Sequence, residues 1–249
     1  MALFTGTTVI DLERTDSTNN YALKLLRDKQ PFEGTAVRTF SQTLGRGQRH
    51  KVWESADFSN LTFSVIYYPV FLSVGKQFQL SKAVALGVAD FVKNIVKTEP
   101  VKIKWPNDIY VGNKKIAGIL IENSVSGTKL SSAVIGIGLN VNQEKFSAEL
   151  PNPVSLKMIT GEDSDLKKLF DELCVALEVR YMQLKAGKEK LISDEYHSML
   201  FGLNKDRGFL LNNEPVVAEI IGVNETGKLK LKIGLSVNEY DLHQVVYKI

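Results

Sequence analysis

The chain has one cysteine, Cys174, so no disulfide can form within it and no thiolate cluster can hold zinc. Its three histidines, His50, His197 and His243, are scattered without metal-ligand spacing, and neither an HExxH nor a GxSxG motif is present. No run approaches ~18 uninterrupted apolar residues, and the first twenty residues lack a charged segment followed by an apolar one. Charge of one sign is lacking too: 31 Lys and Arg against 28 Asp and Glu leave +3 over 249 residues, without the clustered basic face of a nucleic-acid binder. These absences exclude zinc and triad hydrolase chemistry, and the expectation is a cytoplasmic protein with no membrane or nucleic-acid partner. At 44% hydrophobic and 24% charged, the chain suits one large core with a small satellite.

Asp16-Ser17-Thr18-Asn19 precedes Tyr21, Ala22, Leu25 and Leu26 at helical spacing, which predicts a first helix capped by a Ser or Thr side chain and ending near Arg27 to Gln30. Gly34 to Phe40 and Asn60 to Tyr68 read as strands, and Leu80 to Ile95 carries one apolar helical face. Short β-branched runs at Val101 to Trp105, Asp108 to Val111, Lys115 to Glu122 and Ser132 to Val141, separated by turn residues, predict an antiparallel meander. Leu166 to Leu184 and Lys188 to Leu200 read as helices, with Cys174 on the buried stripe of the first as an inert core thiol. After Gly202 the pattern turns to short strands at Val216 to Val223, Lys228 to Ile233 and Tyr240 to Tyr247, which predicts a small β-barrel. The division expected is a main domain over 1–203 and a small one over 204–249.

Ser41 to Ser55 places two glycines, two arginines and a lysine in one polar loop. Glycine lets backbone N–H groups approach a ligand, and arginine offers a planar fork to carboxylate or phosphate oxygens, so an anion is the natural guest. The loop is neither a dinucleotide fingerprint nor a P-loop: His50 stands where a third glycine is needed, and no Gly-Lys-Ser/Thr occurs. Three further segments can orient a polar ligand: Ser17-Thr18-Asn19, Lys104 to Asp108 leading to Lys115, and Gly136 to Asn140. Each alone reads equally as a turn, or as close backbone packing.

Taken in order, these segments resemble the biotin protein ligases. The matching residues are Ser17-Thr18-Asn19, Gln42-Thr43-Leu44-Gly45-Arg46-Gly47, Trp53-Glu54-Ser55, Lys104-Trp105-Pro106-Asn107-Asp108, Lys115-Ile116-Ala117-Gly118-Ile119-Leu120 and Gly136-Ile137-Gly138-Leu139-Asn140. The resemblance covers nearly the whole chain. It implies an α+β fold, a mixed and largely antiparallel sheet flanked by helices, related to the class II synthetases, with a C-terminal SH3-like β-barrel. It further implies that biotin is activated by ATP, with Mg²⁺, to biotinoyl-5′-AMP and passed to a lysine of a biotin carboxyl carrier domain of a carboxylase. A homodimer built through the main sheet is a further implication.

By the same resemblance Lys115 bridges the biotin carboxylate and the α-phosphate, with Arg46 and Asp108 as the other catalytic residues. Ser17, Thr18, Asn19, Gln42, Gly45, Arg46, Lys115 and Gly118 bind biotin. Gly47, Gln48, Arg49, Lys51, Trp53, Asn107, Lys115 and Asn140 bind ATP and the adenylate, and no protein-fixed metal site is expected. The loop departs from the family pattern at Gln48, His50 and Lys51, where arginine, glycine and arginine are common. Fewer charge-assisted contacts imply weaker retention of the intermediate, so Gln48→Arg is expected to slow biotinoyl-AMP release in stopped flow, and an unchanged off-rate refutes this. Rival readings are a lipoate or octanoate ligase of related fold and a non-catalytic biotin-binding protein. A repressor form is disfavoured, since Ser17 lies only sixteen residues after Met1.

Overall fold

The computed structural model describes residues 2–48 and 52–248. Its frame is a seven-stranded sheet in the order β1-β2-β3-β7-β6-β5-β4. The strands are β1 (Val9–Thr15), β2 (Ala36–Gln42), β3 (Leu61–Tyr67), β4 (Val101–Lys104), β5 (Asp108–Val111), β6 (Lys114–Ser126) and β7 (Lys129–Leu139). Only β1 and β2 run parallel, joined by the crossover helix α1 (Thr18–Asp28); every other pairing is antiparallel. The mixed α+β expectation therefore holds.

The two faces of the sheet are used differently. One carries α2 (Gln77–Ile95) and α4 (Leu166–Lys185), whose apolar stripes join Phe63, Val65, Ile135 and Ile137 in the main core. Strand alternation sends the intervening residues to the other face, where α1 covers only Val37, Ile66 and Val134 with Ala22. The rest of that face is left to small and polar side chains, and the site lies there. Cys174 is buried as expected, 2% exposed, and burial pushes its thiol up to about 12. Near the chain start, the backbone N–H groups of Leu3, Phe4 and Thr5 donate to the Glu178 carboxylate at 2.6, 2.8 and 2.8 Å, tying this segment to α4.

The short helices α3 (Leu156–Thr160) and α5 (Glu189–Ser198) flank α4 in sequence. A second antiparallel sheet follows, in the order β11-β10-β9-β8-β12, from β8 (Asp206–Leu211), β9 (Glu214–Val223), β10 (Leu229–Ile233), β11 (Ser236–Tyr240) and β12 (Val245–Tyr247). The run expected as one strand over Tyr240 to Tyr247 is broken by a 3-10 turn at Leu242–Gln244, where Asp241 and Gln244 form a capping box. Among the described residues no pairing joins β11 to β12, so this is an open five-stranded sheet. Trp105 Nε1 donates to the Gly227 carbonyl at 2.8 Å and His197 Nε2 sits 2.9 Å from the Val223 carbonyl, so the two sheets share one apolar core.

Candidate active site

Cross-strand register builds the site. On the α1 face, Thr62, Gly138, Gly118 and Asp108 form one row across β3, β7, β6 and β5; Ser64, Gly136 and Leu120 form the next, and Ile66, Val134 and Glu122 the third. Three glycines make the floor of a trough between these rows, and the residues with side chains make its walls.

The loop joining β2 to β3 lies over this floor. Trp53 N donates to the Gly45 carbonyl at 2.9 Å, and a Cβ on Gly45 would fall 2.2 Å from the Trp53 carbonyl oxygen, so only glycine allows this approach. The indole rests on the floor: a Cβ on Gly138 would lie 2.1 Å from Trp53 Cε2, and one on Gly118 3.0 Å from Cζ3. Trp53 Nε1 is buried and has no hydrogen-bond partner.

Lys115 enters from β6, where an irregularity in the β5 pairing turns it onto Asp108. Its Nζ is 2.7 Å from Asp108 Oδ1 and 5.6 Å from the centre of the Trp53 ring. Its backbone is held by the Asn152 carbonyl and the Val154 N–H. Asn107 extends the ladder one step, its carboxamide donating to the Ile119 carbonyl and its carbonyl accepting from Ile119 N–H at 3.1 Å. Beyond that point β6 pairs, among the described residues, with β7 alone.

The opposite end of the trough is polar. Ser17, Thr18 and Asn19 are 2–3% exposed. Ser17 is the N-cap of α1 but its side chain makes no cap bond, contrary to the capping expectation, because the Ser-Thr-Asn run turns toward the sheet. Ser64 Oγ contacts Thr18 Oγ1 at 2.8 Å and Asn19 Oδ1 at 2.6 Å, and Thr18 N donates to Gln42 Oε1 at 3.0 Å. Asn19 Nδ2 donates to Glu122 Oε2 at 2.8 Å. Arg46 makes a two-pronged pair with Glu122, at 2.9 and 3.2 Å, and donates to Asn20 Oδ1 at 2.7 Å. Asn20 in turn donates to Asp16, the main cause that holds this carboxyl below its usual range.

The structure thus brings Lys115, Asp108, Gly118 and Trp53 together at one end, and Ser17, Thr18, Asn19, Gln42 and Arg46 at the other. It does not bring Arg46 to Lys115. Glu122 lies four residues beyond Gly118, roughly 13 Å along an extended strand. Asn140 is 4% exposed; its Nδ2 donates to the Val154 carbonyl at 2.9 Å, which leaves a buried Oδ1 without a partner. Gly47 follows Arg46 in the loop, and Gln48 reaches a cavity of about 250 Å³ that Trp105, Ile119, Ile121 and Gly227 also line. Ile119 and Ile121 alternate with Gly118 and Leu120, so that cavity lies on the far side of β6 from Trp53. Arg49 and Lys51, also expected at the nucleotide, lie outside the described residues. Glu122 and Ser64 escaped the sequence reading; the signal for Glu122 was its even spacing from Gly118, and for Ser64 a small hydroxyl inside an apolar strand.

A carboxylate-paired lysine at one end of a glycine-floored trough, with amide and hydroxyl groups at the other, defines a site for a ligand with an anionic tail and a polar head. Solved structures share the fold: the biotin protein ligase from Aquifex aeolicus in complex with biotin and ATP superposes with a TM-score of 0.80 and 26% identity, over 97% of this chain and 99% of that one. The "Bifunctional ligase/repressor BirA" of Bacillus subtilis is 30% identical over 87% of this chain and 66% of its own length. The "Biotin--[acetyl-CoA-carboxylase] ligase" of Mycobacterium tuberculosis is 28% identical over 89% and 82%. Residues 12–140 match the biotin/lipoate A/B protein ligase family, and the chain belongs to that family.

Proposed function

We propose that this chain is an ATP-dependent biotin protein ligase, which joins biotin to a lysine of a biotin carboxyl carrier domain. The observation that carries this reading is Lys115 Nζ, set between Asp108 at 2.7 Å and the Trp53 ring at 5.6 Å, at the end of the trough opposite the Ser-Thr-Asn run. A carboxylate oxygen of biotin attacks the α-phosphorus of ATP and the bond to pyrophosphate breaks. Two anions must meet, so Lys115 binds both and neutralises the charge that moves between them. An amine of the acceptor then attacks the acyl carbon, AMP leaves, and the proton shed by the ammonium is accepted by Asp108. That lysine is mostly charged at neutral pH, with a reference pKa of about 10.4, so it needs such an acceptor.

Ser17, Thr18, Asn19 and Gln42 replace the water lost by biotin's urea head, Gly45 supplies backbone beside it, and Trp53, whose indole rests on Gly118 and Gly138, lifts from that floor to wall the aliphatic chain. The buried, unpartnered Asn140 Oδ1 suits the amine of adenine. Gly47, with Arg49 and Lys51, belongs to the adenylate side and Asp108 to the phosphates; Gln48 and Asn107, which line the cavity on the far side of β6, are given no part at the nucleotide. Mg²⁺ accompanies ATP and masks phosphate charge; among the described residues no three acidic, histidine or cysteine side chains gather to hold a metal of their own.

The acceptor docks by strand pairing on the stretch of β6 past Ile119, and a second copy of the chain can use the main sheet in the same way. The five-stranded sheet from Asp206 onward is read as an SH3-like module, with the domain boundary at 203/204. Among the described residues no helix is long and apolar enough to cross a membrane; a cytoplasmic enzyme that binds no nucleic acid fits the charge balance.

Biotin-dependent exchange of pyrophosphate into ATP tests the first step, and transfer of labelled biotin, with labelled octanoate in parallel, tests the second. Lys115→Gln is expected to slow exchange by about a thousandfold, roughly 4 kcal/mol of barrier. Exchange that ignores biotin, or transfer of octanoate in its place, refutes the reading.

A further inference from the structure

Glu122 is unused by the chemistry above, yet it joins two parts of the site. Its carboxylate takes both terminal nitrogens of Arg46, at 2.9 and 3.2 Å, and Asn19 Nδ2 at 2.8 Å. The pair is partly exposed, with 41% of the Arg46 side chain and 26% of the Glu122 side chain accessible, so its gain in stability is small and its effect is geometric. A carboxylate can only accept, so the Asn19 carboxamide must turn Nδ2 toward Glu122 and Oδ1 toward Ser64. Ser64 has one proton for two neighbours, Asn19 Oδ1 at 2.6 Å and Thr18 Oγ1 at 2.8 Å. The closer acceptor takes it, and the contact with Thr18 is then completed by the threonine's own proton. Both Thr18 lone pairs are then free to accept from an N–H donor.

Resting on the biotin ligase reading, we propose that Glu122 is a positioning residue: it orders the protons along Asn19, Ser64 and Thr18 so that the site presents acceptors to the N–H groups of a cyclic urea, and it commits Arg46 to this head end rather than to the phosphates. Arg46 therefore serves the vitamin's recognition while Lys115 serves its activation. Glu122→Gln keeps the size of the side chain but can present either an acceptor or a donor to Asn19, so the carboxamide's orientation is left to the long contact of Nδ2 with the Leu120 carbonyl at 3.4 Å and the order is weakened.

Calorimetry of biotin binding without ATP, together with exchange kinetics, tests this. Glu122→Gln and Arg46→Gln are each expected to raise the Kd and KM for biotin by about tenfold or more, the effect of losing one charged hydrogen bond. In Glu122→Gln the KM for ATP is expected to stay within about twofold while that for biotin rises. The side-chain amide resonances of Asn19, followed in the ligand-free protein, are expected to shift in Glu122→Gln. A biotin Kd unchanged in Glu122→Gln overturns the proposal, as does a KM for ATP that rises in parallel, which would place Arg46 at the phosphates. If the wild-type chain binds no biotin, the functional reading and this proposal fall together; if it binds and the variants bind equally well, only the proposal falls.

Discussion

Gly138 is the residue on which the site's shape most directly depends. The methyl of Gly138→Ala would fall 2.1 Å from Cε2 and 2.4 Å from Nε1 of Trp53, so the indole must leave the floor. Overpacking of this kind costs about 1–3 kcal/mol. Urea unfolding should show that loss in Gly138→Ala but less than about 0.5 kcal/mol of it when Trp53→Ala is already present, a coupling confined to residues in contact. At this scale the sequence was legible wherever a residue's chemistry is its own: Lys115, Asp108, the Ser-Thr-Asn run and the glycines, singled out from the chain, gather about one trough. Partnership was not legible. Arg46 could be recognised as a cation, but nothing in its neighbourhood in the chain revealed that Glu122, from another strand, would hold it.

Among the elements, helices and long strands were readable because periodicity survives burial of one face; α1, α2, α4, α5, β2, β3 and the β4 to β7 meander lie close to their expected bounds. β1, β8 and β11 were not foreseen. β1 is an edge strand with few buried positions, and β8 carries charge at Asp206 and Arg207, so neither shows a clear alternation. α3 is a five-residue turn of helix with too few positions for a period. The segment at residues 3–5 acts as an element through Glu178. Burial raises the pKa of this carboxyl, but the backbone N–H groups of Thr5, Leu3 and Phe4 outweigh it, and the net shift is downward from 4.5. A depressed folded pKa gives stability that is present above the unfolded value near 4.5 and is lost as pH falls through the folded one. Glu178→Gln should cost about 2 kcal/mol near neutrality, lowering Tm by roughly 4–8 °C, and the deficit should shrink below pH 4 in thermal scans. A deficit that persists unchanged in acid would contradict this account.

For the whole molecule, three strands were expected after Gly202 where the sheet has five, and its closure was not legible either, because no local pattern says whether edge strands β11 and β12 meet. Nor could composition show that the second sheet shares its core with the first through Trp105, His197 and Leu200. On the proposed reading the nucleotide and vitamin sites adjoin at Lys115, so biotin and ATP together should raise Tm by more than the sum of their separate shifts, as ordered two-ligand binding requires, and equal sums would argue for independent sites. The pairing of Lys115 with Asp108 and of Arg46 with Glu122 also bears on how the vitamin is captured. Among the described residues, Lys115 and Arg46 are each matched by a carboxylate of their own, and the chain as a whole carries only +3. These two pairs therefore project little field of their own into solvent. Encounter with biotin is left to ordinary diffusion, and its rate should vary little with ionic strength.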